Sequence, residues 1–241
     1  MSFAFNIPFK VERGGGVPTA QDYVQDGLIA LWDGIENAGW GVHDPGQRYW
    51  FDLVAGHRLS SWGWNETCGW DGYSYNVLNR VDYGTIPIDY SAGMTLECLS
   101  GEFRNESQYQ CVGVVGGNGS SDSIQYICIG GNVYGWIRGV TGFSDYMAHV
   151  FDNAMHTQTA TIGTSGKIDF WADGGVKHVS IPESSFVMPS GSTATMSFTT
   201  KTRSTTESGP TYKCARIYNR VLLSDEIAHN ASIDSARFNL A

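Results

Sequence analysis

Charge is what this sequence has least of. Asp, Glu, Lys and Arg make up 16% of its 241 residues, against about a quarter in ordinary globular domains. The 15 basic residues are outnumbered by 24 acids, for a net charge of −9. A phosphate backbone is gripped by clustered Lys and Arg, and no such cluster exists here, so a nucleic-acid partner is not expected. An anionic membrane surface is disfavoured on the same ground. Long apolar runs are missing too: none approaches the ~20 residues that span a bilayer, so membrane insertion is not expected. The opening MSFAFNIPFKVERGGG has too short an apolar stretch and no small-residue cleavage site. It carries no export signal, and none is expected.

Catalytic and metal-binding spacings are equally scarce. The five cysteines are Cys68, Cys98, Cys111, Cys128 and Cys214, with no C-x-x-C pair to suggest zinc. Their odd number and the missing signal favour reduced thiols packed as small hydrophobes. Cys98 and Cys111 are placed to face each other across a hairpin, without enough to predict a bond. The six histidines are scattered, with no H-x-H or H-E-x-x-H. There is no G-x-S-x-G elbow. Gly116-Gly117-Asn118-Gly119 lacks the lysine of a phosphate loop and reads as a surface turn. A glycosidase needs two carboxyl groups held across the scissile bond. No E-x-D-x-x-E run supplies them, and Glu97 and Asp169 stand alone on their expected strands as solvated acids.

Glycine and aromatic residues are plentiful: 30 glycines, and 13% Phe, Trp and Tyr. With many β-branched residues, this composition predicts short strands joined by tight turns. Expected strands are 28–33, 94–99, 109–115, 123–129, 133–138, 157–162, 167–172, 177–181, 193–198 and 212–218. Asp173-Gly174 marks a hairpin, as does Gly130-Gly131-Asn132. A spacing near ten residues indicates a sandwich or jelly roll. One helix is expected near the end, capped by Ser224, with Asp225 and Glu226 at its positive terminus and Ile227, Ala228, Ala231 and Ile233 on its apolar face. Residues 1–26 differ in kind. Phe3 to Val11 form an apolar arm ahead of the Gly14-Gly15-Gly16 break, suited to attachment or oligomerisation, and 27–241 form one domain.

The tail ARIYNRVLLSDEIAHNASIDSARF (215–238) resembles the closing signature of bacterial and phage laminin-G-like, concanavalin-A-like domains. GLIALWDGIENAGWG (27–41), WFDLVAG (50–56) and KIDFWADG (167–174) fit the same pattern, with Met155-His156 where relatives often carry Trp-His. The resemblance spans about residues 27–238 and implies an all-β concanavalin-A-like β-sandwich (jelly roll) of two antiparallel sheets with one short C-terminal helix. His156 would then hydrogen-bond within the sheet. Many relatives hold calcium between an early aspartate and acids before the last strand. Asp52 matches the first, but Lys213 and Cys214 stand at the second. Asp52 is therefore the one metal-ligand candidate; calcium is not favoured, and no cofactor is expected.

The most distinctive feature is a cluster of indoles at Trp40, Trp50, Trp62, Trp64 and Trp70. Sugar rings stack their C–H faces on such rings. The run SWGWNETCGWDGYSY (61–75) combines Trp62, Trp64, Trp70 and Tyr73 with hydroxyl-binding Asn65 and Asp71. Trp62 and Trp64, two apart, share one face of a strand. The competing reading places these aromatics in the core. Asn65, Asn105, Asn118 and Asn230 sit in N-x-S/T triplets that carry no meaning without export.

The expectation is thus a non-catalytic phage virion surface protein, on tail, fibre or capsid, that binds a glycan or bacterial surface polysaccharide. Other virion proteins and copies of itself would be its further partners. The alternatives are a purely structural decoration module without a sugar site and a polysaccharide-degrading glycosidase. A bacterial cell surface or secreted location is the alternative to the virion.

Overall fold

Alternating apolar residues punctuated by Gly, Asn and Asp turns give short antiparallel strands, numbered here along the chain. The structure, a computed structural model, describes residues 16–36, 49–60, 69–70, 75–76, 81–87, 89–101, 109–116, 123–129, 132–138, 149–150, 154–181, 193–201 and 211–240. These contain sixteen strands in two antiparallel sheets. The first sheet holds β1 (Leu28–Asp33), β4 (Gly69–Trp70), β5 (Tyr75–Asn76), β7 (Met94–Gly101), β12 (His156–Ile162), β13 (Ile168–Ala172), β14 (Val176–Ile181) and β16 (Thr211–Tyr218). Its order is β14-β13-β12-β7-β16-β5-β4, and β1 also pairs with β16. The second sheet, in the order β11-β10-β9-β8-β15-β6-β3-β2, holds β2 (Tyr49–Phe51), β3 (Arg58–Ser60), β6 (Val81–Pro87), β8 (Tyr109–Gly116), β9 (Ser123–Ile129), β10 (Asn132–Arg138), β11 (His149–Val150) and β15 (Thr193–Lys201). One helix, α1 (Ser224–Phe238), follows β16.

All ten expected strands are present. Strands β2, β3, β4, β5, β6 and β11 had no counterpart among them; five are two or three residues long, too short to show an alternation. The chain passes from β7 in the first sheet to β8 in the second. Cys98 and Cys111 therefore do not share a hairpin, and Cys98 is a free, buried thiol.

Register shows how the first sheet is covered. On one face lie Trp32, Ala215, Cys98, Gln158 and Ala172 in one row, and Ala30, Ile217, Leu96, Ala160 and Phe170 in the next. On the other face Leu31, Arg216, Glu97, Thr159 and Trp171 form a row. A strand with one wet face shows alternating burial, yet every residue of β7 is buried. The second face is covered by α1 and by residues 20–24, so its Thr, Glu and Arg side chains need internal partners.

Arg216 provides them. It is wholly buried, as are Glu97 and Asp234. Its Nε donates to Glu97 Oε2 at 2.9 Å. Nη1 and Nη2 donate to the two oxygens of Asp234 on α1 at 2.6 and 2.7 Å. This two-pronged geometry is the strongest that an arginine makes with a carboxylate. Thr157 Oγ1 and Tyr23 Oη donate to Asp234 as well. Thr159 Oγ1 and Asn230 Nδ2 donate to Glu97. Asn230 is therefore a core residue, whose Oδ1 accepts from Val24 N at 3.0 Å. Beside this cluster Arg237 pairs with buried Asp33 at 2.8 Å. Glu97 is thus neither isolated nor solvated: strand register and α1 bring it partners distant in sequence.

Two further expectations change for related reasons. Ala20, Tyr23 and Val24 are core residues packed with Leu31, Leu99, Ile227 and Ile233. The described part of the expected 1–26 arm, from residue 16, is thus joined to the sandwich through residues 20–24. The helix begins one residue earlier than expected, with Leu223 as its cap and Ser224 inside it. The cap is made by Glu226, whose Oε2 accepts from Leu223 N at 2.8 Å and from Arg220 Nη1 at 2.8 Å. Ala228 is exposed, and Asn230, Asp234 and Arg237 share the buried face with Ile227, Ala231 and Ile233.

Asp234→Ala removes the two-pronged partner and leaves Arg216 buried with a single carboxylate. A loss of about 3–5 kcal/mol is expected, read by urea unfolding. Acid titration should separate two classes of carboxylate. The Arg220 hydrogen bond holds Glu226 below its ordinary value of 4.5, so its contribution is complete above that value and disappears as the pH falls through the lowered one. Burial pushes Glu97 and Asp33 the other way. The folded state takes up their protons first, and falling pH relieves the cost of burying them. Glu226→Gln should therefore be less stable than the parent at neutral pH and lose less stability than the parent between about pH 5 and pH 3.

Candidate functional site

Of the indole cluster, the two described members divide between the core and the edge strand of the first sheet. Trp50 on β2 is buried with 1% exposure, and Trp32 is wholly buried. Trp70 lies on β4, where it pairs with Tyr75 across the short β4–β5 hairpin. That hairpin joins the sheet through β5 and the start of β16, Tyr75 opposite Tyr212 and Asn76 opposite Thr211, leaving β4 as the outermost strand. Trp40, Trp62, Trp64, Asn65, Asp71 and Tyr73 lie outside the described residues. Of the expected sugar platform the structure therefore places Trp70 alone, on the edge strand β4.

Asp52 has a different task from the one expected of it. It is buried, and its Oδ1 accepts from Leu31 N at 2.9 Å and Val54 N at 2.7 Å. Its Oδ2 accepts from Ala55 N at 2.9 Å and His57 N at 3.2 Å. Four backbone donors thus converge on one carboxylate, closing the 52–57 turn and fastening it to β1. A cation at these oxygens would have to displace the N–H groups. Lys213 and Cys214 bring no acid to the neighbourhood, and among the described residues no group of three His, Cys, Asp or Glu is arranged to hold a metal ion.

A cleft lies where the β13–β14 turn meets α1. Asp173 and Gly174 both have positive φ, 48° and 72°, as the tightest hairpin turns require. A Cβ on Gly174 would lie 2.5 Å from Ala231 Cβ, so glycine here lets the turn dock on the helix. The Asp173 carboxylate reaches back to β12: Oδ2 lies 2.8 Å from His156 Nδ1, and Oδ1 accepts from Thr157 N at 3.0 Å. His156 is thus engaged with a hairpin turn beside its strand. The turn, the start of β12 and the second half of α1 enclose an open cleft of about 420 Å³. His156, Thr157, Asp173, Ser232 and Ser235 give it polar walls, and Met155, Ala228 and Leu240 apolar ones. The Asp-Gly signal placed the turn, but nothing in the linear sequence placed α1 against it.

Carboxylates do come together in this fold, at Arg216. That cluster has no solvent-exposed surface, and burial raises Glu97, Cys214 and Tyr23 away from their charged forms. It holds sheet to helix and has no access for a substrate.

Comparisons with known proteins add the fold. No family model matches the chain, and no curated protein matches it in sequence. Solved structures do. A Trypanosoma rangeli sialidase superposes with a TM-score of 0.61 at 14% identity, over 95% of this chain and 36% of the sialidase. The binding domain of botulinum neurotoxin serotype D gives 0.58 at 11% identity, over 86% of this chain and 52% of that one. A botulinum neurotoxin type C structure, described by the dependence of its cell entry on two ganglioside molecules, gives 0.59 at 11%, over 87% and 51%. The chain spans about a third of the sialidase and half of the toxin chains. This likeness establishes the fold, a jelly-roll β-sandwich with a C-terminal helix.

Asp52→Ala should cost about 2 kcal/mol, because one buried and three half-buried N–H groups lose their acceptor. Urea unfolding should give the same loss in calcium and in EDTA, as the residue's partners are backbone donors.

Proposed function

We propose that this chain is a non-catalytic glycan-binding module of a phage virion surface, related to laminin-G-like domains. Its sugar platform lies at the β4–β5 edge of the first sheet. The observation that carries this reading is the hairpin that sets Trp70 beside Tyr75 on the outermost strands, within a run holding Trp62, Trp64, Asn65, Asp71 and Tyr73. An aromatic edge with interspersed amide and carboxylate groups suits a sugar, which offers both C–H faces and hydroxyls. The fold shared with a toxin whose cell entry depends on gangliosides supports the same class of ligand. The non-catalytic reading is supported by the acids: those gathered at Arg216 are sealed, and Asp52 is engaged by backbone donors. The virion assignment rests on the closing signature at 215–238 and on the apolar stretch Phe3 to Val11 as a means of attachment to other virion proteins or to further copies.

A glycan array probed with the purified protein, with and without calcium, tests this directly. Binding is expected, and Trp62→Ala/Trp64→Ala should abolish binding of extended glycans while leaving the unfolding midpoint unchanged. A folded parent protein that binds no glycan would instead support a structural decoration module.

A further inference from the structure

We infer that the cleft between the β13–β14 turn and α1 is a second ligand site, selective for a neutral, hydroxyl-rich small molecule of monosaccharide to disaccharide size. Its volume of about 420 Å³ falls within the range of sites that enclose small ligands. Its walls are fixed before any ligand arrives. Asp173 is held by His156 and by Thr157 N, and Thr157 Oγ1 is anchored in turn to Asp234 of the buried cluster. Gly174 seats the turn against Ala231. Such preorganisation removes the ordering cost that weakens small-molecule binding.

The chemistry of the walls selects the ligand. Among the described residues no Lys or Arg lines the cleft, and the one carboxylate among them repels anions. Phosphorylated and acidic sugars are therefore disfavoured. The Asp173 side chain is 51% exposed, and each of its oxygens carries one protein bond, leaving lone pairs for ligand hydroxyls. Ser232 and Ser235 direct their protons to His229 O and Leu240 O, so their oxygens face a ligand as acceptors. Met155, Ala228 and Leu240 provide an apolar wall for C–H groups. This site shares no residue with the β4–β5 platform and does not depend on it.

The test is an amide-resolved NMR titration of the full chain. Methyl glycosides of glucose, galactose and mannose are compared with N-acetylneuraminic acid. At least one neutral glycoside should shift the amides of Asp173, Ser232 and Ser235 saturably, while the acidic sugar leaves them in place. Ala228→Trp, which fills the cleft from an exposed helix position, should remove the response. Ser232→Ala/Ser235→Ala keeps the helix, since alanine favours it, and should weaken binding about tenfold. Trp62→Ala/Trp64→Ala should leave the titration unchanged, which separates this site from the edge platform. The proposal is overturned if no neutral glycoside moves these amides, if the acidic sugar moves them equally, or if the serine double variant binds as tightly as the parent.

Discussion

A guanidinium without access to water sits between a strand and a helix, and the arrangement of the first sheet follows from it. Arg216 faces outward from β16, where a one-sided sheet would meet solvent. Its charge is instead shared by Glu97 on the neighbouring strand and Asp234 on α1. Burying an unpaired charge is prohibitive, so the sheet is complete only when the helix docks. The requirement extends outward. Asp234 also needs Tyr23 and Thr157, Glu97 needs Thr159 and Asn230, and Asn230 in turn fixes the backbone at Val24. Residues from the early chain, the middle strands and the tail meet in one hydrogen-bonded cluster.

The same cluster supports the candidate sites unequally. The His156–Asp173 cleft stands one hydrogen bond from it, through Thr157, and inherits its rigidity. The β4–β5 hairpin sits beyond the start of β16, attached by two register pairs. Rigid walls suit recognition of one small ligand; an edge strand suits a longer chain passing over it.

Much of the fold was legible because alternation and turn chemistry are local. The limits of β1 and β9 follow directly from LIALWD and SIQYICI, and Asp173-Gly174 marks its turn because few other pairs adopt two positive φ values cheaply. The partners of Glu97 were not legible. An acid on a strand reads as solvated unless the residue beyond it is known, and here that residue comes from a helix 133 positions later, at Asn230. The partners of Asp52 were not legible either: they are backbone N–H groups, which leave no trace in side-chain sequence. The core role of Tyr23 was hidden by the glycine break before it, which made residues 1–26 look like one arm.

The pairing of β1 with β16 has a consequence for synthesis. The ribosome delivers Leu28 long before Ala215, so β1 waits unpaired while nearly all the strands are made. Glu97 must also stay hydrated until both Arg216 and Asn230 have emerged. The first sheet therefore closes as a cooperative event governed by β16 and α1. A nascent chain halted before α1 would expose the polar face and the unpaired first strand together. For this protein, the emergence of α1 and the completion of the first sheet are nearly the same moment.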